Sequence, residues 1–272
     1  MGQLINTFER KEKKYVLSSL QLTQLMLIIG DKLEDDQFAR STISSLYYDT
    51  DQFEMINRSL EKPLYKEKVR VRAYGALAYD TPVFVELKKK FKGIVYKRRI
   101  QMSDVGARSY LAGMPYEQAA ALGGPAFESL QQKNPRQNIR ELDACLRRHE
   151  SLRPGIMVVV ERHSMRTNDG SNVRITFDMN ARWRATGLSF GAGFGGTPIF
   201  NDDSIIMEVK ALGSYPLWLV HARDAIGAYP VSCSKVGKAY QALAAGSSKT
   251  APQPSQFKYQ PNASRMKGAH CA

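Results

Sequence analysis

The clearest pattern in the chain is a period of two between residues 69 and 100. VRVRAYG (69–75) and FVELKKK (84–90) alternate apolar and charged positions, and IVYKRRI (94–100) continues the run. A strand sends successive side chains to opposite faces. Val69, Val71, Val83, Val85 and Leu87 therefore share one face, and Arg70, Arg72, Glu86 and Lys88 share the other. In the third segment the same period puts Lys97 and Arg99 with Val95, and a tight Lys92-Gly93 turn joins the last two strands. Cations at such spacing on neighbouring strands repel one another unless an anion lies between them or acids are interleaved.

The rest of the chain supplies further strands and their cover. FERKEKKYVL (8–17) reads as a first strand with Glu12 and Lys14 on one face. A helix capped at Ser18 or Ser19 is predicted over about 19–33 from Leu22, Leu25, Met26 and Ile29. SSLYYD (44–49) is a second strand and TDQFEMINRSL (50–60) contains a short helix beginning near Asp51. Residues 103–150 change to helical spacing, as two or three helices interrupted by the GGP at 123–125 and by Pro135. IMVVVERHSMR (156–166) and NVRITFDMN (172–180) form a hairpin through Asn168-Asp169-Gly170. GLSFGAGFGGTP (187–198) lacks the Gly-Lys-Ser/Thr ending of a P-loop and reads as a mobile loop. IIMEVKAL (205–212) is a last strand, followed by helices at 216–226 and 234–245, the second capped by Ser234. Beyond about 246 the composition is that of a disordered tail.

Length and charge narrow the class. A chain of 272 residues with 43% hydrophobic content buries a full core, read here as one domain over 1–245. The excess of 39 Lys and Arg over 26 Asp and Glu, a formal net charge of +13, implies an anionic partner. Cys145, Cys233 and Cys271 are too few and too scattered for a disulfide framework, and the four histidines lack zinc-site spacing. No apolar run approaches a membrane span and the start lacks a signal-peptide core, so a soluble, cytoplasmic protein is expected.

With the period-two reading applied throughout, one face collects Glu12, Lys14, Arg70, Arg72, Glu86, Lys88, Lys97, Arg99, Arg162, Arg174, Asp178, Glu208 and Lys210. The opposite face is apolar. A solvated face is one explanation. A closed antiparallel β-barrel with its charges inside, in an α+β fold with helices packed outside, is the other, and it suits Arg and Glu repeated at every inward step. Such a lumen needs an anion with several negative groups, because unpaired buried cations are costly.

These residues carry a family resemblance. ExKY (Glu12 to Tyr15), YYDT (47–50), RVRAYG (70–75), VELK (85–88), YKRR (96–99), ER (161–162), VRITFD (173–178), MEVK (207–210), PLW (216–218) and SKVGK (234–238) resemble, in order and spacing, the VTC domain of polyphosphate polymerases. That domain is the catalytic part of the vacuolar transporter chaperone complex, with stand-alone bacterial relatives, in the CYTH-like triphosphate tunnel metalloenzyme superfamily. The resemblance covers nearly all of residues 8–245. It implies a tunnel of antiparallel strands binding ATP and inorganic polyphosphate or triphosphate, and transfer of the terminal phosphoryl group of ATP to the chain with Mn²⁺ or Mg²⁺.

By that resemblance Lys14, Arg70, Arg72, Lys88, Lys97, Arg99, Arg162 and Arg174 are phosphate-binding residues, with Arg70, Arg72, Lys88 and Arg162 at the reacting group. Glu208 is the metal ligand, Lys210 shares its face, and Lys235 and Lys238 close over the tunnel mouth. The residues leave other roles open. Glu208 also reads as a salt-bridge partner of Lys210 or Arg174, and Lys235 and Lys238 as solvated helix lysines. The tunnel triphosphatases and cyclases begin with ExExK, whereas Arg10, Glu12 and Lys14 stand here. The lost first acid favours the polymerase branch, unless Glu9 or Glu86 compensates. A tunnel hydrolase or cyclase is the alternative, and a non-catalytic binder of polyphosphate or RNA the third reading, nucleic acid being the less expected partner.

Overall fold

A computed structural model describes residues 10–77, 81–124, 135–149, 151–200 and 203–246. Glu9, His270, Cys271 and the expected tail beyond residue 246 lie outside the described residues. The chain opens with β1 (Arg10–Leu17), α1 (Ser19–Ile29) and a 3-10 turn at Gly30–Lys32. Ser18 begins α1 with a complete capping box: its hydroxyl accepts from the Gln21 N–H while the Gln21 side chain accepts from the Ser18 N–H. β2 (Leu33–Asp49) follows, then α2 (Glu54–Leu60), β3 (Tyr65–Tyr74), β4 (Val83–Phe91) and β5 (Ile94–Met102). Three helices come next, α3 (Asp104–Leu111), α4 (Tyr116–Ala121) and α5 (Pro135–Arg148). β6 (Arg153–Thr167), β7 (Arg174–Arg184), β8 (Thr197–Pro198) and β9 (Ile205–Leu212) complete the sheet, and α6 (Leu217–Ala225) and α7 (Lys235–Ala244) end the described chain.

The strands form one antiparallel sheet in the order β1, β9, β7, β6, β2, β3, β4, β5, with β8 on β7. The expected closed barrel is therefore corrected: β1 pairs only with β9 and β5 only with β4 among the described residues. The free edge of β1 is taken instead by the segment leading into α7, where the Val231 N–H donates to the Lys14 carbonyl at 2.8 Å. A backbone acceptor already used there is not available to another strand.

Two apolar clusters lie on the outer face. Leu46, Val69, Val71, Val85, Leu87 and Ile100 pack with α3, α4 and α5, and Tyr15, Phe177, Met207 and Val209 pack with α1 and α6. A third cluster is on the inner face. Ile43, Ile156, Val158 and Val160 join Ala181 and Trp183 against Ile56 of α2 and Val236 and Ala239 of α7. Two helices thus enter the curl of the sheet, where the sequence placed all helices outside and only charge within. A bulge in β7 allows this, because Asn180 adopts a left-handed backbone (φ 49°) and the register shifts between Val159 and Glu161. The shift puts Ala181 and Trp183 on the same face as Asp178.

β2 is also longer than its predicted 44–49, because residues 33–42 are largely exposed and polar and show no alternation. The Gly-rich segment after β7 is held in place. Arg184 donates to the carbonyls of Gly187, Ser189 and Gly195, and Phe190 is buried. No helix among the described residues is long and apolar enough to cross a membrane.

Candidate functional site

The even-numbered residues of β3 and β4 face inward, and the register places them in rows. Arg70 lies opposite Glu86, which lies opposite Arg99, and Lys68 lies opposite Lys88, which lies opposite Lys97. Glu86 is the centre of the first row. Its carboxylate, 1% exposed, takes Arg70 at 2.7 Å, Lys97 at 2.8 Å and Arg99 at 3.0 Å, with Arg72 at 4.0 Å. Burial alone would raise its pKa, but Arg70, Arg72 and Lys97 hold it far below the usual carboxylate range. β2 contributes Tyr47 and Ser45, whose hydroxyls accept from Arg70 and Arg72 at 3.0 and 3.3 Å. Arg99 also lies 3.7 Å over the Phe84 ring and donates to the Tyr74 hydroxyl.

The far end of the sheet supplies the second group. β1 and β9 pair Lys14 with Glu208 and Glu12 with Lys210. Lys210 Nζ is 3.0 Å and Lys14 Nζ 3.9 Å from the Glu208 carboxylate. Glu12 and Glu208 are themselves hydrogen-bonded, and this divides their behaviour. Although solvent reaches Glu12 at the edge of β1, surrounding groups desolvate it, and the bond to Glu208 and that residue's charge push its carboxyl further up. The Glu208 carboxyl goes the other way: the bond with Glu12 and the charges of Lys210 and Lys14 overcome its burial and hold it low.

The sheet curls enough to bring these two groups together. Glu12, Lys14 and Glu208 all act on the charge of Lys88, and Lys14 acts on that of Lys68. The bridge between them is the segment before α7. Lys14 Nζ donates to the Cys233 carbonyl at 3.3 Å, and Lys68 Nζ donates to the Ser234 hydroxyl, also at 3.3 Å. Ser234 in turn caps α7 by accepting from the Gly237 N–H. Lys235, the next residue, reaches Asp178 at 2.7 Å, and Arg162 holds the same carboxylate through two bonds of 2.6 and 2.8 Å. These contacts overcome burial and lower the Asp178 pKa to about 2.

Of the residues expected at the site, Lys14, Arg70, Arg72, Lys88, Lys97, Arg99, Arg162, Glu208, Lys210 and Lys235 share this inner face. Arg174, directly opposite Lys210, is on this face by register but at its margin, and it and Lys238 are engaged in other contacts. Arg174 pairs with Asp36 at 2.7 Å and with Ser164, and its side chain is half exposed. Lys238 stands 5.1 Å over the ring of Phe200.

Besides Glu12 and Glu86, whose roles the sequence leaves open, Lys68, Tyr47 and Asp178 carry no role in the sequence reading. Lys68 extends the alternation to KVRVR, one residue before the predicted strand begins at Val69. Burial, then repulsion from Lys66, Lys88 and Lys14, outweighs the help of Tyr47 and lowers its pKa to about 8. Burial would raise the Tyr47 phenol, but Arg70, Lys68 and Arg72 bring it down to about 7. Asp178, seen as a charged position, is the anchor of Arg162 and Lys235.

One further cluster with metal-ligand atoms, Glu67, Cys145 and His149, lies on the other face, between β3 and α5. Its geometry is that of a buried anchor. Glu67 takes Tyr65 at 2.6 Å, His149 at 2.7 Å and Arg148 at 2.9 Å, and burial followed by the charge of Glu67 raises the Cys145 thiol to about 12. A protonated thiol beside a carboxylate already held by a guanidinium is a poor cation site.

The VTC domain family model matches residues 9–244, all the strands and both inner helices included. The chain belongs to the VTC domain family. No curated protein matches it. Solved structures that this chain matches include a protein of Pyrococcus horikoshii, at 12% identity over 85% of this chain and 99% of its own, TM-score 0.39. A candidate adenylate cyclase from Vibrio parahaemolyticus is 10% identical over 85% and 97%, TM-score 0.42. A candidate adenylyl cyclase from Hippeastrum, described as having a dominant triphosphatase activity, is 13% identical over 88% and 96%, TM-score 0.45. In this VTC domain the basic rows, the carboxylate pair and the segment from Cys233 to Lys235 face one another across the concave side of the sheet.

Proposed function

We propose that this VTC-family chain transfers the terminal phosphoryl group of ATP to a growing polyphosphate chain. The observation that carries the reading is the convergence of Lys68, Arg70, Arg72, Lys88, Arg162 and Lys14 on one concave face, with Glu12, Glu86, Asp178 and Glu208 the acids set among them in the described residues. Guanidinium forks suit phosphate oxygens, and so dense a set of cations suits an anion of many charges rather than one.

In the proposed reaction an oxygen of the chain's terminal phosphate bonds to the γ-phosphorus of ATP. The bond from that phosphorus to the β–γ bridging oxygen breaks, and ADP leaves with the oxygen. The attacking oxygen is already ionised, so no general base is required. The protein's part is in-line positioning and neutralisation of charge. Arg70, Arg72, Lys88 and Arg162 hold the transferred group; Lys14, Lys97, Arg99, Lys210 and Lys235 hold the flanking phosphates. Arg174 and Lys238 join only by leaving Asp36 and Phe200.

The Glu12 and Glu208 pair fits a divalent cation, because two adjacent carboxylates offer hard oxygen donors among cations that do not. Glu208, with Glu12 beside it, would hold Mn²⁺ or Mg²⁺, which neutralises phosphate oxygens when bound.

The same carboxylate pair supports a second reading, a tunnel hydrolase or cyclase, in which water or the ribose hydroxyl attacks instead. Incubation with ATP and manganese separates the two. ADP with a lengthening phosphate chain is the expected product set; free phosphate or a cyclic nucleotide in its place overturns the first reading in favour of the second.

A further inference from the structure

The inner rows continue past the site toward the β4–β5 hairpin. Two residues beyond Lys68 and Lys88, Lys66 lies directly opposite Lys90, with Val95 as the third member of the row. Like charges directly opposite on antiparallel strands destabilise a sheet. Neither lysine pairs with a carboxylate among the described residues; Lys66 Nζ donates only to the Ser59 carbonyl at 2.9 Å, and Lys90 is exposed. The next row in, Lys68, Lys88 and Lys97, repeats the pattern, and only Lys97 reaches an acid at ion-pair distance, Glu86.

The outer face of the same strands is treated differently. Lys89 and Arg98 both bind Glu141 of α5, Arg98 at 2.7 Å. An acid is thus supplied to these outer cations, as Glu86 is to the Arg70 row, while neither of the two inner rows nearest the hairpin contains one. Burial, followed by the charges of Lys90 and Lys62, lowers the Lys66 pKa, as expected for a cation left without a counter-ion.

We propose that Lys66 and Lys90 form a second anion subsite that holds the part of a linear phosphate chain beyond the reacting group. The inference rests on the reading of the inner face as a phosphate site, and it adds a direction. Rows are roughly 7 Å apart along the strands, so a triphosphate seated on Arg70 and Arg72 leaves Lys66 and Lys90 unoccupied, while a longer chain crosses Lys68 and Lys88 and reaches them. The opposite mouth has a different chemistry, with Tyr74 edge-on to Phe84 beside Arg72 and Arg99. A chain of phosphates alone makes no use of aromatic faces, and the lysine mouth offers none on its row.

The test is the affinity of the full chain for inorganic tripolyphosphate and for long-chain inorganic polyphosphate, without ATP. The Lys66→Gln/Lys90→Gln double variant is expected to bind the long chain about tenfold more weakly, with a shallower salt dependence, and tripolyphosphate as the unaltered protein does. Lys90→Gln alone, at an exposed position, is expected to give the same sign if the double variant loses its fold. A matched pair on the opposite face of β1, Lys11→Gln/Lys13→Gln, is expected to change neither affinity. Equal losses for both anions, no loss for either, or an equal loss in the β1 control overturns the subsite while leaving the reacting site in place. If the unaltered protein binds neither anion, the phosphate reading itself falls and the subsite with it.

Discussion

Glu86 on β4 sits opposite Arg70 on β3, with a carboxylate oxygen 2.7 Å from the Arg70 guanidinium, and the same 1% exposed carboxylate serves Lys97 and Arg99. Without a bound anion it is the principal negative charge holding this part of the inner face together. Removing one member of a buried ion cluster costs roughly 3–5 kcal/mol because the remaining charges are left unpaired. Glu86→Gln should lower stability by that order in urea unfolding, and tripolyphosphate should restore most of the loss by supplying the missing charge. An equal loss with and without tripolyphosphate would show that Glu86 acts through packing alone.

Among the described residues Lys88 has no carboxylate at ion-pair distance, and it faces Lys97 across the strand pair. On the proposed function its partner is the ligand. Lys88→Ala should weaken tripolyphosphate binding about 10- to 100-fold, the value of one charge-assisted bond, while unfolding at or above the concentration of denaturant that the unaltered protein requires. Loss of fold with retained affinity per folded molecule would assign Lys88 a structural role.

Lys68 and Tyr47 titrate near neutrality, at about 8 and about 7, and both work in the same direction. As pH rises, Tyr47 gains a negative charge and then Lys68 loses a positive one. Tripolyphosphate affinity should therefore fall as pH rises through about 7 to 8, rather than staying level as it would if only ordinary lysines and arginines were involved. Tyr47→Phe should remove the lower part of the decline and its phenolate absorbance change. The linked effect on folding has the opposite sign. Both groups hold fewer protons folded than unfolded, so stability rises with pH from about 7 upward. A flat affinity profile across this window would contradict the account of the cluster.

Glu208→Gln should abolish manganese-dependent turnover of ATP yet leave tripolyphosphate binding without metal intact or tighter, since a negative charge has gone. Glu12→Gln should raise the manganese concentration needed for half-maximal activity, with smaller effect at saturating metal. Metal titrations of turnover and of tripolyphosphate binding check both. Unchanged metal dependence in both variants would remove the pair from the metal site.

The inner charged face was legible because its strands alternate strictly. β9 has the predicted bounds, Ile205–Leu212, and the Lys92-Gly93 turn adopts left-handed backbone at both residues, φ 47° and 88°. What the sequence does not show is contact between elements far apart along the chain. The period of two puts Glu86 among cations, but not as the one acid that four of them share. The Asn180 bulge breaks the alternation, so Ala181 and Trp183 cannot be assigned to the inner face without the register. α7 looks like any amphipathic helix, and its place inside the curl depends on Val236 and Ala239 meeting β6 and on Gly237. A Cβ there would lie 2.9 Å from Leu60. The barrel expectation failed for a related reason: Val231, in an unpatterned segment, occupies the edge of β1.

The account rests on the concave face holding a linear phosphate, and a crystal structure with inorganic tripolyphosphate tests that most directly. The phosphoryl groups should lie between the strands against Arg70, Arg72, Lys88 and Arg162, with the Glu86 contacts to Arg70 and Arg72 partly exchanged for phosphate oxygens. Tripolyphosphate bound only on the outer surface, with those four side chains unmoved, would contradict it.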